Sequence, residues 1–175
     1  RVGVVVFQAE SLVLSPLTLD LDAVDTLLED SVRNGLLREG TALGLALAES
    51  IDLLRGFEGP SRVVVALTDG EDNIRIVRPV EAAAIARALD IRVYTIGFGT
   101  LRGSRFQCTR QQLGGIEFGR GFFRRGFSRG GRGFRRGFRR GLDAETLQQV
   151  AEMTDAEFYL AESADELLDV FSNVS

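Results

Sequence analysis

The sequence contains no histidine, no lysine and only one cysteine, Cys108. Without histidine it cannot carry out Ser-His-Asp or Cys-His catalysis, and it cannot form a His-ligated zinc site. Without lysine it lacks the Gly-Lys-Ser/Thr step of a Walker-type phosphate loop, which excludes P-loop NTPase chemistry. A single cysteine cannot form an internal disulfide or a cysteine-cluster metal site. Composition alone therefore removes several large classes of enzyme.

Long apolar runs are also missing. The chain contains no stretch of about 18 apolar residues, which a bilayer-spanning helix needs, and no charged-then-apolar leader at Arg1. We therefore expect any membrane tether to lie outside these residues. The 175 residues, of which 45% are hydrophobic, are enough for one globular domain with a buried core.

The net charge of -4 is the sum of two regions with opposite charge. Residues 102–140 contain 12 arginines and a single acidic residue, Glu117, which gives this segment a charge of +11. The rest of the chain contains 9 arginines and 24 acidic residues, a charge of -15. The sequence therefore predicts an acidic globule that carries a strongly basic segment.

Short apolar runs predict strands at residues 2–7, 62–67, 91–98 and 157–160. Residues 11–15 can pair back on the first run as the second arm of a hairpin that ends before Pro16. The run at 62–67 is almost continuously apolar, which predicts that both of its faces are covered, as in a parallel sheet.

Apolar residues at helical spacing predict helices between these runs. The first begins near Leu21 and is expected to be capped by Thr18; the second begins near Thr41 and ends at Gly56. Pro79 begins a third helix, whose sheet-facing residues are predicted to be Val80, Ala83, Ala84 and Ala88.

Capping signals predict two more helices near the end of the chain. Asp143 is placed to cap one, and Ser163 with Glu166 matches a capping box for the last. The apolar residues of that last helix are Leu167, Leu168 and Phe171. Alternation of strands and helices predicts an α/β fold with an open, doubly wound, mostly parallel sheet and helices on both faces.

Two polar positions lie where such sheets bind ligands, beyond the carboxyl ends of the strands. Asp69 follows the strand at 62–67, within the run Thr68-Asp69-Gly70-Glu71-Asp72, and Thr41 opens the second helix. A hydroxyl and a carboxylate are hard oxygen donors, which Mg²⁺ accepts together with waters that a partner's carboxylate can replace. The alternative is that Thr41 only caps its helix and that Thr-Asp-Gly is only a turn.

Taken together, these segments resemble the von Willebrand factor type A (VWA) family, and in particular bacterial aerotolerance (Bat-type) proteins. The segments that carry the resemblance, in the family's order, are Arg1-Val2-Gly3-Val4-Val5-Val6-Phe7, Ser15-Pro16-Leu17-Thr18, Gly40-Thr41-Ala42-Leu43-Gly44, Leu67-Thr68-Asp69-Gly70-Glu71-Asp72-Asn73 and Val93-Tyr94-Thr95-Ile96-Gly97. Asp143-Ala144-Glu145-Thr146-Leu147 and Phe158-Tyr159-Leu160-Ala161 resemble the closing part of the Bat-type subgroup.

The resemblance implies a non-enzymatic module that binds an acidic residue of a protein partner through a metal ion-dependent adhesion site (MIDAS). Thr41 and Asp69 match the family's Thr and Asp ligands of Mg²⁺, or of Ca²⁺ or Mn²⁺. The resemblance also implies a bacterial protein that is tethered to the cytoplasmic membrane by segments outside this chain. Its implied partners include other subunits of a membrane complex.

The family's Asp-x-Ser-x-Ser loop, with its strand and helix, has no counterpart in these residues. The resemblance places that strand in the middle of the sheet, between the strands at 2–7 and 62–67, so we expect two unpaired strand edges here. We also expect the complete protein to supply about 45 residues upstream, the usual size of a strand-helix unit.

Residues 100–141 are predicted to be a disordered insert, which leaves 1–99 and 142–175 as an incomplete VWA domain. Arginine interleaved with phenylalanine and glycine favours binding of nucleic acid, anionic lipid or an acidic protein. The arginines assigned to this role are Arg120, Arg124, Arg125, Arg129, Arg132, Arg135, Arg136, Arg139 and Arg140. Two alternatives remain: the segment lies against its own acidic domain, or it is a repeat expansion or reading-frame error without a selected role.

Two enzyme-like patterns are weaker. Asp20-Leu21-Asp22-Ala23-Val24 fits the Asp-x-Asp-x-Val core of haloacid dehalogenase-type phosphatases, but it does not follow a buried strand, and first-turn acids also favour a helix N-terminus. Gly97-Phe98-Gly99 follows a strand, but Arg102 stands where a dinucleotide-binding loop needs its third glycine.

Overall fold

The computed structural model describes residues 1–34, 40–59, 61–74, 76–99 and 142–173. The elements in these ranges are β1 Val2–Phe7, β2 Ser11–Thr18, α1 Leu21–Asn34, α2 Leu43–Arg55, β3 Val63–Thr68, α3 Pro79–Ala88, β4 Arg92–Phe98, α4 Ala144–Met153, β5 Phe158–Ala161 and α5 Ala164–Asn173. Each predicted strand and helix is present, with ends that differ by a few residues. In the described part of the chain, no helix has the length and hydropathy of a membrane span.

The last three strands form a parallel sheet in the order β3-β4-β5. Val65 is aligned with Tyr94, and Thr95 is aligned with Phe158. α3 lies between β3 and β4, and α4 precedes β5. Both strand pairs are parallel, so all three strands begin at the same end of the sheet. The carboxyl ends of these strands therefore meet at one edge, as the alternation of strands and helices predicted.

The first two strands form a separate antiparallel hairpin, β1-β2. α2 packs against this hairpin and also against β3, so the same helix contacts both sheets. Within the described residues, neither β1 nor β3 has a strand partner on its second edge. This is the arrangement expected when the family's central strand is absent from these residues, and the prediction of an α/β sheet lacking that strand and its helix is confirmed.

The main core lies between the parallel sheet and three helices, α2, α3 and α4. Its most deeply buried side chains include Leu43, Leu47, Ile91, Val93, Leu147 and Val150. Polar groups inside it are hydrogen-bonded: the Thr95 hydroxyl donates to the carbonyl of Leu147 at 2.9 Å, and the Thr154 hydroxyl accepts from the amide of Val93 at 3.0 Å. These bonds attach α4 to β4 without leaving a buried amide unsatisfied.

β3 is covered on one face only, so the prediction that both faces are covered is wrong for these residues. Val64 and Ala66 are buried in the main core, whereas Val65 and Leu67, on the opposite face, are each 40% exposed. The apolar run correctly indicated a strand of a parallel sheet, but the helix that the resemblance places against its second face is not among the described residues.

Pro16 lies inside β2, so the prediction that the strand ends before it is wrong. β2 is an edge strand, and its register with β1 shifts between the pairs Val2–Thr18 and Val4–Ser15. A proline is tolerated at such a position because an irregular edge does not need its missing amide donor.

The cap of α1 also differs from the prediction. Asp20 Oδ1 accepts from the amide of Ala23 at 3.0 Å, so Asp20 caps the helix. Thr18 supports the cap by accepting from the amide of Asp20 at 3.0 Å.

α3 begins at Pro79 as predicted, but its buried face is rotated from the predicted one. The buried residues of α3 are Pro79, Ala82, Ala83 and Ala86. Of the predicted face, only Ala83 is buried, while Ala84 and Ala88 are exposed and Val80 is partly buried. Alanine occurs on several sides of this helix, so composition could not select the face.

The caps of the last two helices follow the prediction more closely. Asp143 Oδ1 accepts from the amide of Thr146 at 3.1 Å and caps α4. Ser163 Oγ accepts from the amide of Glu166 at 3.3 Å, although Glu166 accepts in return from Glu162 instead of Ser163. Leu168, predicted to be part of the apolar face of α5, is 66% exposed.

Candidate functional site

Two loops meet at the carboxyl end of β3. Asp69 follows β3 directly, and Thr41 stands two residues before α2. Asn73 joins the loops, because its Oδ1 accepts from the amide of Thr41 at 2.9 Å. The carbonyl of Thr41 in turn accepts from the amides of Asn73 at 3.0 Å and Ile74 at 3.2 Å. We refer to residues 40–43 and 69–74 as the Thr41–Asp69 corner.

Thr41 does not cap α2, so the alternative that explained it as a helix cap is wrong. The cap position is occupied by Ala42, which offers no side-chain acceptor. Instead, Asp72 Oδ1 from the other loop accepts from the amide of Leu43 at 3.1 Å. The hydroxyl of Thr41 is therefore not used at the helix terminus.

The Thr41 hydroxyl lies against the residue that follows Asp69. A Cβ atom on Gly70 would be 3.0 Å from Thr41 Oγ1, so the backbone of the loop approaches the hydroxyl closely. Asp69 is exposed, and among the described residues its carboxylate has no hydrogen bond or ion pair. The structure thus places the Thr41 hydroxyl beside the residue that follows Asp69 and leaves Asp69 exposed.

The turn between β1 and β2 forms a third wall of the corner. Ala42 donates its amide to the carbonyl of Gln8 at 2.6 Å. Gly40, with a φ of 148°, lies against this turn, because its Cβ would be 2.9 Å from that of Ala9. The positive φ and the close approach both require glycine here. The backbone therefore explains why glycine precedes Thr41, independently of the resemblance to the family.

The donors of the corner suit a hard cation in part. A Thr hydroxyl and an Asp carboxylate are oxygen ligands of the kind that Mg²⁺ accepts in octahedral geometry. The acidic side chains of Glu71 and Asp72 add negative charge to the same loop. However, the described residues contain no cluster of three or more His, Cys, Asp or Glu side chains that could hold a metal by itself. By their chemistry Thr41 and Asp69 suit a hard cation, but within the described residues they could supply only part of its ligands.

Asp72 and Asn73 were not singled out from the sequence, although they make the hydrogen bonds that join the two loops. Asp and Asn often accept hydrogen bonds from nearby free amides at turns and helix starts. That tendency is local, however, and their partners here are 29 and 32 residues away in the sequence.

The remaining predicted residues lie outside this corner. Asp20 caps α1, and Gly97 packs against Leu142, whose Cδ2 would be 2.2 Å from an added Cβ. Packing therefore accounts for the glycine of the weak dinucleotide-binding pattern. Cys108 and the arginines from Arg120 to Arg140 fall in 100–141, outside the described residues.

In comparison with known proteins, the family model of the von Willebrand factor type A domain matches residues 1–119. A UPF0353 protein of Nocardia farcinica (strain IFM 10152) is 26% identical over 190 aligned positions, which cover 99% of this chain and 50% of that protein. The chain spans half or less of the length of the curated relatives it matches.

Solved structures show the same fold. An aerotolerance-related membrane protein from Bacteroides fragilis NCTC 9343 superposes with a TM-score of 0.67 at 23% identity, covering 98% of this chain and 76% of that chain. Proximal thread matrix protein 1 from the mussel byssus, in a structure with a zinc-occupied MIDAS motif, has a TM-score of 0.58 at 19% identity. That alignment covers 98% of this chain and 33% of the mussel chain.

Proposed function

The chain belongs to the von Willebrand factor type A family, and from this premise we propose that it binds an acidic residue of a protein partner through a divalent cation at the Thr41–Asp69 corner. Domains of this family generally mediate protein–protein interactions and are generally not enzymes. The proposal adds the metal, its ligand residues and the acidic partner group to that general function.

The observation that carries the proposal is the juxtaposition of the Thr41 hydroxyl with the loop that presents an accessible Asp69 carboxylate. When bound, the cation supplies a positive charge and exchangeable coordination positions for a partner's carboxylate. The chain's own residues hold and orient it. Mg²⁺ is the ion we propose, with Ca²⁺ or Mn²⁺ as substitutes; the zinc in the mussel neighbour belongs to that protein.

The remaining oxygen ligands are proposed to come from an Asp-x-Ser-x-Ser loop outside the 175 residues. This loop would lie between a strand that pairs with the open edges of β1 and β3 and a helix that covers Val65 and Leu67. If the complete gene begins at Arg1, this part of the proposal is wrong.

The cellular setting is also a proposal. The Bacteroides fragilis neighbour is a membrane protein, and we propose that this chain is likewise bacterial and held at the cytoplasmic membrane by segments outside these residues. Its partners would then include other subunits of a membrane complex.

Mn²⁺ binding, followed by the electron paramagnetic resonance signal of the free ion, tests the site. The protein is prepared as the 175 residues and together with whatever precedes them in the gene. We expect Asp69→Asn to weaken binding much more than Glu71→Gln, which removes the same charge from the next exposed acid of the loop. Equal effects of the two substitutions would mean that the loop attracts cations only through its net charge.

Partner binding tests the rest of the proposal. Proteins from solubilised membranes of the source bacterium are captured on the immobilised chain in Mg²⁺, without cross-linking, and identified. We expect a direct partner to be released by EDTA and to lose binding when one of its acidic residues is changed to the amide. Undiminished binding in EDTA would refute the metal-dependent mechanism.

A second candidate function rests on the charge of residues 102–140, which is +11 in a chain whose remainder is -15. Arginine-rich sequence of this kind is proposed to bind nucleic acid or another polyanion by ion pairing, so its affinity should fall steeply as salt rises. Unchanged RNA binding between low and moderate salt, or after deletion of residues 119–141, would exclude it.

A further inference from the structure

We infer that Asp72 and Asn73 are positioning residues, which hold the loop that carries Asp69 against the segment that carries Thr41, so that both can contribute to one cation site. The inference rests on the proposed function, because it assigns a task to two residues beside that site. Neither residue needs to touch the cation. Each acts through a hydrogen bond to the backbone of the segment that carries Thr41.

Thr41 is held by the opposite loop. It precedes α2, so the helix supplies none of its backbone hydrogen bonds. Its amide is bound by Asn73 Oδ1, and its carbonyl by the amides of Asn73 and Ile74. Both peptide groups that flank its Cα are thereby held, and the direction of its Cα–Cβ bond is held with them.

Asp72 fixes the start of α2 in the same way. The first amides of a helix lack partners within it, and the cap residue Ala42 supplies none from its side chain. Asp72 Oδ1 accepts from the amide of Leu43 at 3.1 Å, and a carboxylate is also favoured by the positive end of the helix dipole. The side-chain acceptor that caps a helix usually comes from the residue at the start of that helix. For α2 it comes instead from Asp72, in the loop that follows Asp69.

The other end of that loop is anchored to β3. The amide of Gly70 donates to Thr68 Oγ1 at 3.3 Å, and the Gly70 backbone lies against the Thr41 hydroxyl. Asp69 therefore sits between a fixed strand end and a loop tied to the other ligand residue. Loss of either tie should let the two oxygen donors separate without removing a donor.

A role limited to stability is the competing explanation, and a charge-matched pair of variants separates the two. Asp72→Asn and Asp72→Ala remove the same charge, but only asparagine keeps an oxygen acceptor for the Leu43 amide. Asn73→Ala removes the acceptor for Thr41, and Asn73→Asp restores it. Any difference within the Asp72 pair reports geometry, because the electrostatic change is equal.

The experiment measures three quantities on each variant: hydrogen exchange of the Thr41 and Leu43 amides, the free energy of unfolding in urea, and Mn²⁺ affinity. We expect Asn73→Ala to speed exchange at Thr41, and Asp72→Ala to speed it at Leu43. Supporting residues of metal ligands typically contribute about ten- to a hundredfold to metal affinity, and we expect a loss of that order in both alanine variants. Asp72→Asn should bind Mn²⁺ more tightly than Asp72→Ala.

The outcomes separate the failure of this inference from the failure of the proposed function. If the wild-type protein with its upstream residues binds no Mn²⁺, the proposed function fails, while the exchange data still report whether the two ties exist. If the wild type binds Mn²⁺ and the alanine variants bind it equally well, the positioning role is refuted. A fall in affinity that only parallels the free energy of unfolding refutes it too, because that result describes stability alone.

Discussion

Gly44→Ala should destabilise the protein even though alanine is the better helix former. Gly44 lies in the first turn of α2, where an ideal Cβ would be 1.9 Å from the carbonyl oxygen of Val77 and 2.9 Å from the carbonyl carbon of Arg78. Both obstacles are backbone atoms of the segment that leads into α3. Since real Cβ atoms essentially never approach within 3.0 Å, the two segments must separate by about 1 Å.

Two opposing free-energy changes decide the result. Replacing glycine by alanine inside a helix gains about 0.5–1 kcal/mol, whereas overpacking a close contact costs about 1–3 kcal/mol. Because the neighbour here is backbone, we expect the upper part of that range and a net loss of about 1–2 kcal/mol in the free energy of unfolding. α2 begins beside Thr41, so Mn²⁺ affinity should fall as well.

Urea unfolding followed by far-ultraviolet circular dichroism measures this change, since the chain has no tryptophan. Gly56→Ala is the matched control, because nothing lies within 4 Å of its Cβ and its φ is -91°. We expect the control to keep or raise stability by up to about 1 kcal/mol. If Gly44→Ala proves as stable as Gly56→Ala, the close packing of α2 against the segment before α3 is wrong.

Three further predictions follow from single contacts. Gly70→Ala, which places a methyl group 3.0 Å from Thr41 Oγ1, should lower Mn²⁺ affinity with little change in the urea midpoint; unchanged affinity would show that the loop does not approach the hydroxyl as described. Thr154→Val leaves the buried amide of Val93 without its acceptor and should cost about 1–3 kcal/mol in urea unfolding, whereas Thr154→Ser keeps the oxygen and should cost less; equal losses would contradict this. The hydrogen bond to Glu157 raises the pKa of Tyr159 above 10.0, so the neutral phenol's contribution to stability is present below pH 10.0 and disappears as the pH rises through the raised pKa. Ultraviolet titration of Glu157→Ala in a Tyr94→Phe background should bring that pKa back toward 10.0, and an unchanged pKa would mean that the bond does not form in solution.

Element types and order could be predicted because they depend on local patterns. The strands could be predicted from their apolar runs, the start of α4 from its capping residue Asp143, and the start of α3 from Pro79. Local signals failed where tertiary context decides. Pro16 is tolerated because β2 is an irregular edge, and the buried side of α3 depends on which alanines meet α2 and α4.

The candidate site, too, could be predicted from the sequence only in part. Thr41 and Asp69 could be proposed because each belongs to a motif of the family, and the structure brings their loops together. The residues that hold the loops together, Asp72 and Asn73, bind amides far away in the sequence. No local pattern reports such a partner, so these contacts required the fold.

The most direct test of the central claim is to locate a bound cation by paramagnetic broadening of amide signals. Substoichiometric Mn²⁺ is added to the isotopically labelled protein, prepared with whatever precedes Arg1 in its gene. We expect the amide signals of Thr41, Gly70 and Asn73 to disappear first, while that of Gly56, at the other end of α2, persists. Broadening that is uniform, or that is strongest at the acidic start of α5 near Asp165 and Glu166, would contradict a metal site at this corner.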